Sequence, residues 1–136
     1  MLISTIKIIA FLISISCPIY GQPNDCDTIY QKVDIDPKYY TGVVGLMEYF
    51  GKEVTPIISN CMKQDKELVS KFIIRLTIDN NGKVIDASIQ DDELTVDCKA
   101  QLKSKLLTMS GWTPGQMKTK NVCSYYNWII SCIKWG

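Results

Sequence analysis

Residues 71–89, KFIIRLTIDNNGKVIDASI, decide how the rest of the chain must fold. Phe72, Ile74, Leu76 and Ile78 fall on one side of an extended chain whose side chains alternate, with Arg75, Thr77 and Asp79 on the other. That two-residue period marks a half-buried strand. In Asp79-Asn80-Asn81-Gly82, the Asn-Gly pair supplies the positive φ angles of a tight primed hairpin turn. The return, Lys83 to Ile89, is again β-branched, but Val84 is out of phase with Ala87 and Ile89, which predicts a β-bulge near Asp86. Two strands alone are marginal in water, so the apolar side of this hairpin requires cover from the remaining segments.

The chain has 136 residues, 46% hydrophobic and 21% charged, enough for one domain around one core. A net charge of +1, with fifteen basic residues spread without a run, leaves no footprint for nucleic acid or an anionic membrane surface. Residues 1–21 read as a signal peptide: Lys7 precedes an apolar run from Ile8 to Ile15, Pro18 breaks it, and cleavage after Gly21 leaves Gln22 as the new N-terminus. A lipoprotein acylated at Cys17 is an alternative, although Ser14 stands where an aliphatic residue is expected. An uncleaved anchor from Leu2 to Tyr20 is the third. The expected location is periplasmic or secreted, with no membrane span once the signal is removed.

Cys26, Cys61, Cys98, Cys123 and Cys132 make the mature chain rich in thiols for its size, as in exported disulfide-bonded domains. Five is odd, so one thiol stays free or pairs between molecules, and Cys132 serves equally well as a small buried hydrophobe. There is no Cys-x-x-Cys spacing and no His, so neither a zinc site nor a thioredoxin-like motif is expected, and no metal or cofactor.

Ile29 to Ile35 alternates weakly and is stopped by Asp36-Pro37. Val43, Leu46, Met47, Tyr49 and Phe50 recur at helical spacing, placing a short helix from about Val43 to Gly51. A second begins at Thr55-Pro56, with Thr55 as cap and Pro56 in the first turn, and runs through Ile57, Ile58, Cys61 and Met62. Lys63 to Ser70 links it to the hairpin. After the acidic stretch Asp91-Asp92-Glu93, residues Leu94 to Ser110 carry Cys98, Leu102, Leu106 and Met109 on one stripe, a helix capped by Thr95 and ended by Gly111. Lys118 to Asn121 is a polar loop tip. Val122 to Trp135 then alternates as one long strand. The expected architecture is α+β: a three-stranded antiparallel sheet, hairpin plus C-terminal strand, with helices on one face. Cys61 and Cys98 lie on helices that share that face, so they are the expected disulfide.

Little points to catalysis. Adjacent carboxylates at 91–93 suit solvation and the following helix dipole. Asp79-Asn80-Asn81-Gly82 opens like a calcium loop, but its twelfth position is Gln90, which lacks the bidentate carboxylate. Without His, a Ser or Cys nucleophile has no evident base, so the chain is not expected to be an enzyme. The suggestive feature is the last strand. At a sheet edge its N–H and C=O groups would accept an extended peptide by strand addition. Tyr126 and Trp128 then fill the core, while Tyr125, Asn127 and Ile129 face the other way.

The hairpin from Phe72 through Asp79-Asn-Asn-Gly82 to Val84, together with Met109-Ser-Gly-Trp112-Thr-Pro114-Gly115 and Pro37-Lys-Tyr39 with Gly42, Leu46 and Met47, resembles the C-terminal domain of the TonB energy-transducer family over about Val33 to Trp135. On that resemblance residues 22–36 are an N-terminal extension and 37–136 the domain. It implies a periplasmic module whose last strand pairs with a short segment of a TonB-dependent outer-membrane receptor, in association with transmembrane transport. Carried over by position, the partner-binding residues are Asn121, Cys123, Tyr125, Asn127, Ile129 and Ser131. The family usually has Tyr-Pro where Thr55-Pro56 stands, and a Gly near Ser70. The stretch between Gly21 and the first helix, about 20 residues, reaches on the order of 70 Å fully extended. That is short for a transducer crossing the periplasm, so a binding module is the expectation. The alternative is a disulfide-stabilised structural module that self-associates as a homodimer through the same strand. For the cysteines, peptide mapping after alkylation without reduction should leave Cys61 and Cys98 unlabelled; labelling of both would contradict their pairing.

Overall fold

In the computed structural model, residues 26–61, 69–90 and 94–133 are described. They form β1 (Ile29–Tyr30), β2 (Lys38–Tyr39), α1 (Gly42–Tyr49), a π-helical segment (Phe50–Val54), α2 (Thr55–Cys61), β3 (Val69–Ile78), β4 (Val84–Gln90), α3 (Val96–Leu106), β5 (Trp112–Thr113), β6 (Gly115–Met117) and β7 (Lys120–Ile133). The signal-peptide segment, the acidic stretch 91–93 and the end of the chain from Lys134 lie outside the described residues.

The hairpin is β3–β4, and its turn differs from the expected one. Gly82 takes φ 81°, but Asn81 is not among the residues with positive φ. Asp79 N–H donates to Lys83 O at 2.8 Å and Gly82 N–H to Asp79 O at 3.0 Å, giving a three-residue loop closed by a left-handed glycine. The Asp79 carboxylate organises it: Oδ1 accepts from the N–H groups of Asn81 at 2.9 Å and Lys83 at 2.8 Å. Gly82 is required twice over, by its φ and by space, because a Cβ there would stand 2.0 Å from the Trp112 carbonyl oxygen. A two-residue turn with both φ positive does occur, at Lys118 (47°) and Thr119 (68°), joining β6 to β7. The expected bulge is present. Thr77 faces Asp86 and Ile78 faces Val84, leaving Ile85 as the extra residue.

The sheet has five strands rather than three. Its order is β1-β7-β3-β4, with β6 also paired to β7, while β2 and β5 form a separate two-stranded sheet. One pairing, β1 with β7, is parallel. The added strands are two or three residues long, too short for alternation to show in the sequence.

The first two expected helices are one continuous run. Thr55 has helical backbone angles, its N–H reaches Phe50 O, and its hydroxyl donates to the same oxygen at 3.1 Å, so it is an interior residue and not a cap. The wide π turn ahead of Pro56 accommodates a residue that lacks an N–H and crowds the preceding turn. Thr95 does cap α3, accepting from Cys98 N–H at 3.2 Å. That helix stops at Leu106, short of Gly111, where the Thr108 hydroxyl donates to Lys105 O at 2.6 Å.

Leu46, Phe50, Val54 and Ile58 from the first run, and Cys98, Leu102 and Leu106 from α3, are buried with Phe72, Ile74, Leu76, Ile78, Val84, Ala87 and Ile89 in one core. Phe50 stacks on Trp128 with ring centroids 5.2 Å apart and planes 7° from parallel. The two helical runs are cross-linked by Cys61–Cys98, with Cα atoms 5.7 Å apart, as expected. Replacing Asp79 with Ala should lower the free energy of unfolding in urea by about 2 kcal/mol, since two backbone donors at the turn lose their acceptor. An unchanged midpoint would contradict the role given to this carboxylate.

Candidate functional site

The site follows from which way the groups of β7 point. Within a strand, successive residues direct their N–H and C=O to opposite edges. Asp79 N–H bonds to Lys83, across the hairpin, so the odd-numbered residues of β3 bond toward β4 and the even-numbered ones toward β7. Ile78 lies opposite Ser124, Leu76 opposite Tyr126 and Ile74 opposite Trp128. The even-numbered residues of β7 therefore satisfy their backbone groups against β3. Its odd-numbered residues, Asn121 through Ser131, turn theirs to the outer edge.

Part of that edge is already taken. β1 runs parallel to β7, with Ile29 opposite Cys123 and Tyr30 opposite Ser124. A disulfide between Cys26 and Cys123, Cα atoms 5.6 Å apart, ties β1 in place. On the inner side, ahead of β3, Asn121 lies opposite Gln116 of β6, whose backbone groups turn away to Ile35, and the Asn121 side chain accepts from Gln116 Nε2 at 3.1 Å. It also lines a pocket of about 220 Å³ with Asp27, Thr28, Tyr30 and Asn80, where the chain leading into β1 runs past. The pairing of Tyr30 with Ser124 directs the outward Tyr125 N–H to Tyr30 O, and from there to Ile133 no strand among the described residues pairs with the outer edge. The carbonyl of Tyr125 and the outward groups of Asn127, Ile129 and Ser131 form an edge open to pairing. Ser131 pairs with Lys71 on the inner side, and its side chain lies outside the described residues.

The side chains divide by face. Tyr126, Trp128 and Ile130 pack against the core. Tyr126 contacts Trp112, with ring centroids 4.8 Å apart. Its phenol is pushed above the usual range, chiefly by burial and then by the Asp36 carboxylate. On the opposite face Tyr125 is half-buried, Asn127 is exposed and Ile129 is 55% exposed, a high value for a large aliphatic side chain in a strand. Arg75 spans this face from β3. Its Nε donates to Asn127 Oδ1 at 3.0 Å, and its guanidinium carbon stands 4.9 Å from the centre of the Tyr125 ring.

The two motifs at 79–82 and 112–115 meet in space. Trp112 O presses on Gly82, and a Cβ on Gly115 would lie 2.6 Å from Ser124 Oγ. They thus brace the start of β7 against the hairpin turn. Arg75 and Cys26 were not identifiable as site residues from sequence. Arg75 enters only once the register sets it opposite Asn127, and for Cys26 the one signal is the odd cysteine count.

Two disulfides suit an oxidising environment, extracellular or periplasmic. Among the described residues no helix is long and apolar enough to cross a membrane. The chain matches no family model, no curated protein and no solved structure. Replacing Cys26 with Ser should release β1, so that the Cys123 amide exchanges with solvent at least about tenfold faster while the Phe72 and Ile74 amides keep their protection. Unchanged exchange at Cys123 would mean that β1 holds the edge without its tether.

Proposed function

We propose that this chain is a periplasmic or secreted binding module of TonB C-terminal type, which captures an extended segment of a partner by adding it as a further strand beyond β7. The single observation that carries this reading is the open outer edge of β7 from the Tyr125 carbonyl onward, on a strand held firmly at its inner edge by ten residue pairs with β3. Main-chain bonds to Tyr125, Asn127, Ile129 and Ser131 would supply affinity, and the flanking side chains selectivity. The partner class is the short extended segment of an outer-membrane receptor, in association with transport. The motifs 79–82 and 112–115 support this, because they are packed together at the root of the binding strand. Asn121 and Cys123 sit behind the segment leading into β1 and would frame the end of the site.

The test is retention of outer-membrane proteins from detergent extracts by the chain from Gln22 onward, compared with its Ile129→Pro variant. Proline removes an N–H that points to the open edge and leaves the ladder to β3 intact, so the variant stays folded. TonB-dependent receptors should be retained by the parent chain and lost with Ile129→Pro. Recovery of the chain alone, as a dimer that Ile129→Pro dissociates, would replace this reading with self-association through the same edge.

A further inference from the structure

The open edge is not chemically neutral. Arg75 starts on β3, one strand in from the edge, yet its side chain reaches across β7: Nε is anchored on Asn127 Oδ1 and the guanidinium lies over the Tyr125 ring. Arg75 and Asn127 are directly opposed. Their backbone groups point away from one another, and such pairs bring their side chains closest. Nε is thereby used, while the two terminal nitrogens have no partner among the described residues. The carboxylates that do form ion pairs are engaged elsewhere, Asp86 with Lys103 and Glu53 with Lys105. β7 itself contains no Asp or Glu. Asp36 acts on Tyr126, whose side chain belongs to the opposite face.

An added strand would run about 4.8 Å beyond β7, with alternate side chains standing on the face that Arg75 crosses. From its place above Tyr125 and Asn127, a guanidinium presents its remaining N–H groups as a fork suited to a carboxylate. We propose that Arg75 is a specificity residue of the strand-addition site, selecting partner segments that carry an Asp or Glu side chain beside Tyr125 and Asn127. Tyr125 and Asn127 are its positioning residues: the ring carries the cation and the amide fixes its rotation. This inference rests on the strand-addition reading of β7 and adds to it the chemistry of the partner.

The experiment uses two nine-residue peptides, acetylated and amidated so that the ends carry no charge: Val-Thr-Val-Thr-Glu-Thr-Val-Thr-Val and the same peptide with Gln for Glu. Their dissociation constants are measured for the full chain and for Arg75→Gln, with thermal melting to show that the variant is folded. The Glu peptide should bind the parent chain on the order of fivefold more tightly than the Gln peptide, and the ratio should fall to about one in Arg75→Gln. Equal binding of both peptides to the parent chain would overturn the inference and leave strand addition standing. A preference for Glu that survives in Arg75→Gln would assign the carboxylate to another cation, such as Lys71, and overturn it equally. If neither peptide binds, the strand-addition reading fails and the role of Arg75 falls with it.

Discussion

Backbone hydrogen bonding can be satisfied on both edges of a strand only if something lies on both. Among the described residues, β7 meets that condition along part of its length and not along the rest. Its inner edge is closed by β3 through ten consecutive residue pairs. Its outer edge is closed by β1 from Cys123 to the Tyr125 N–H, and no described strand continues that cover. A protected inner ladder fixes the strand rigidly, and an open outer ladder of N–H and C=O groups is a template for pairing. The remaining structure serves that asymmetry. Helices bury the face bearing Tyr126, Trp128 and Ile130, and the turn at Asp79–Gly82 and the segment Trp112–Gly115 hold the base of β7 in register.

The disulfides work on different parts of this arrangement. Cys61–Cys98 ties α2 to α3 within the helical layer, over a sequence separation of 37 residues. Cys26–Cys123 spans 97 residues and secures a two-residue strand that has little else to hold it. In the chain-entropy view the longer loop restrains the unfolded chain more, by about 1 kcal/mol for these two lengths. Its local effect matters more for binding, because it sets where the open edge begins.

Much of the fold was legible in the sequence wherever a period ran long enough to be seen. The alternation in β3 and β7, the bulge beside Asp86, the Thr95 cap and the Cys61–Cys98 pair were each readable from residue spacing or chemistry. What escaped was short or depended on register. β1, β2, β5 and β6 have two or three residues each, below the length at which alternation means anything. Asn-Gly suggested a two-residue primed turn, but the buried Asp79 carboxylate imposed a three-residue loop by binding two backbone donors. Thr55-Pro56 looked like a helix start because Pro is most at ease there; the π turn ahead of it let the helix run through. The Arg75–Asn127 contact needed the register of two strands some fifty residues apart, which no local pattern encodes.

The most direct measurement is residue-resolved amide exchange along β7 in the isolated monomeric chain. The N–H groups of Tyr126, Trp128 and Ile130 should be protected by β3, whereas those of Asn127 and Ile129 should exchange orders of magnitude faster. Strong alternation with that parity would establish the open edge on which strand addition depends. Uniform protection across Tyr126 to Ile130 in a monomer would contradict it, because the outer edge would then already be closed.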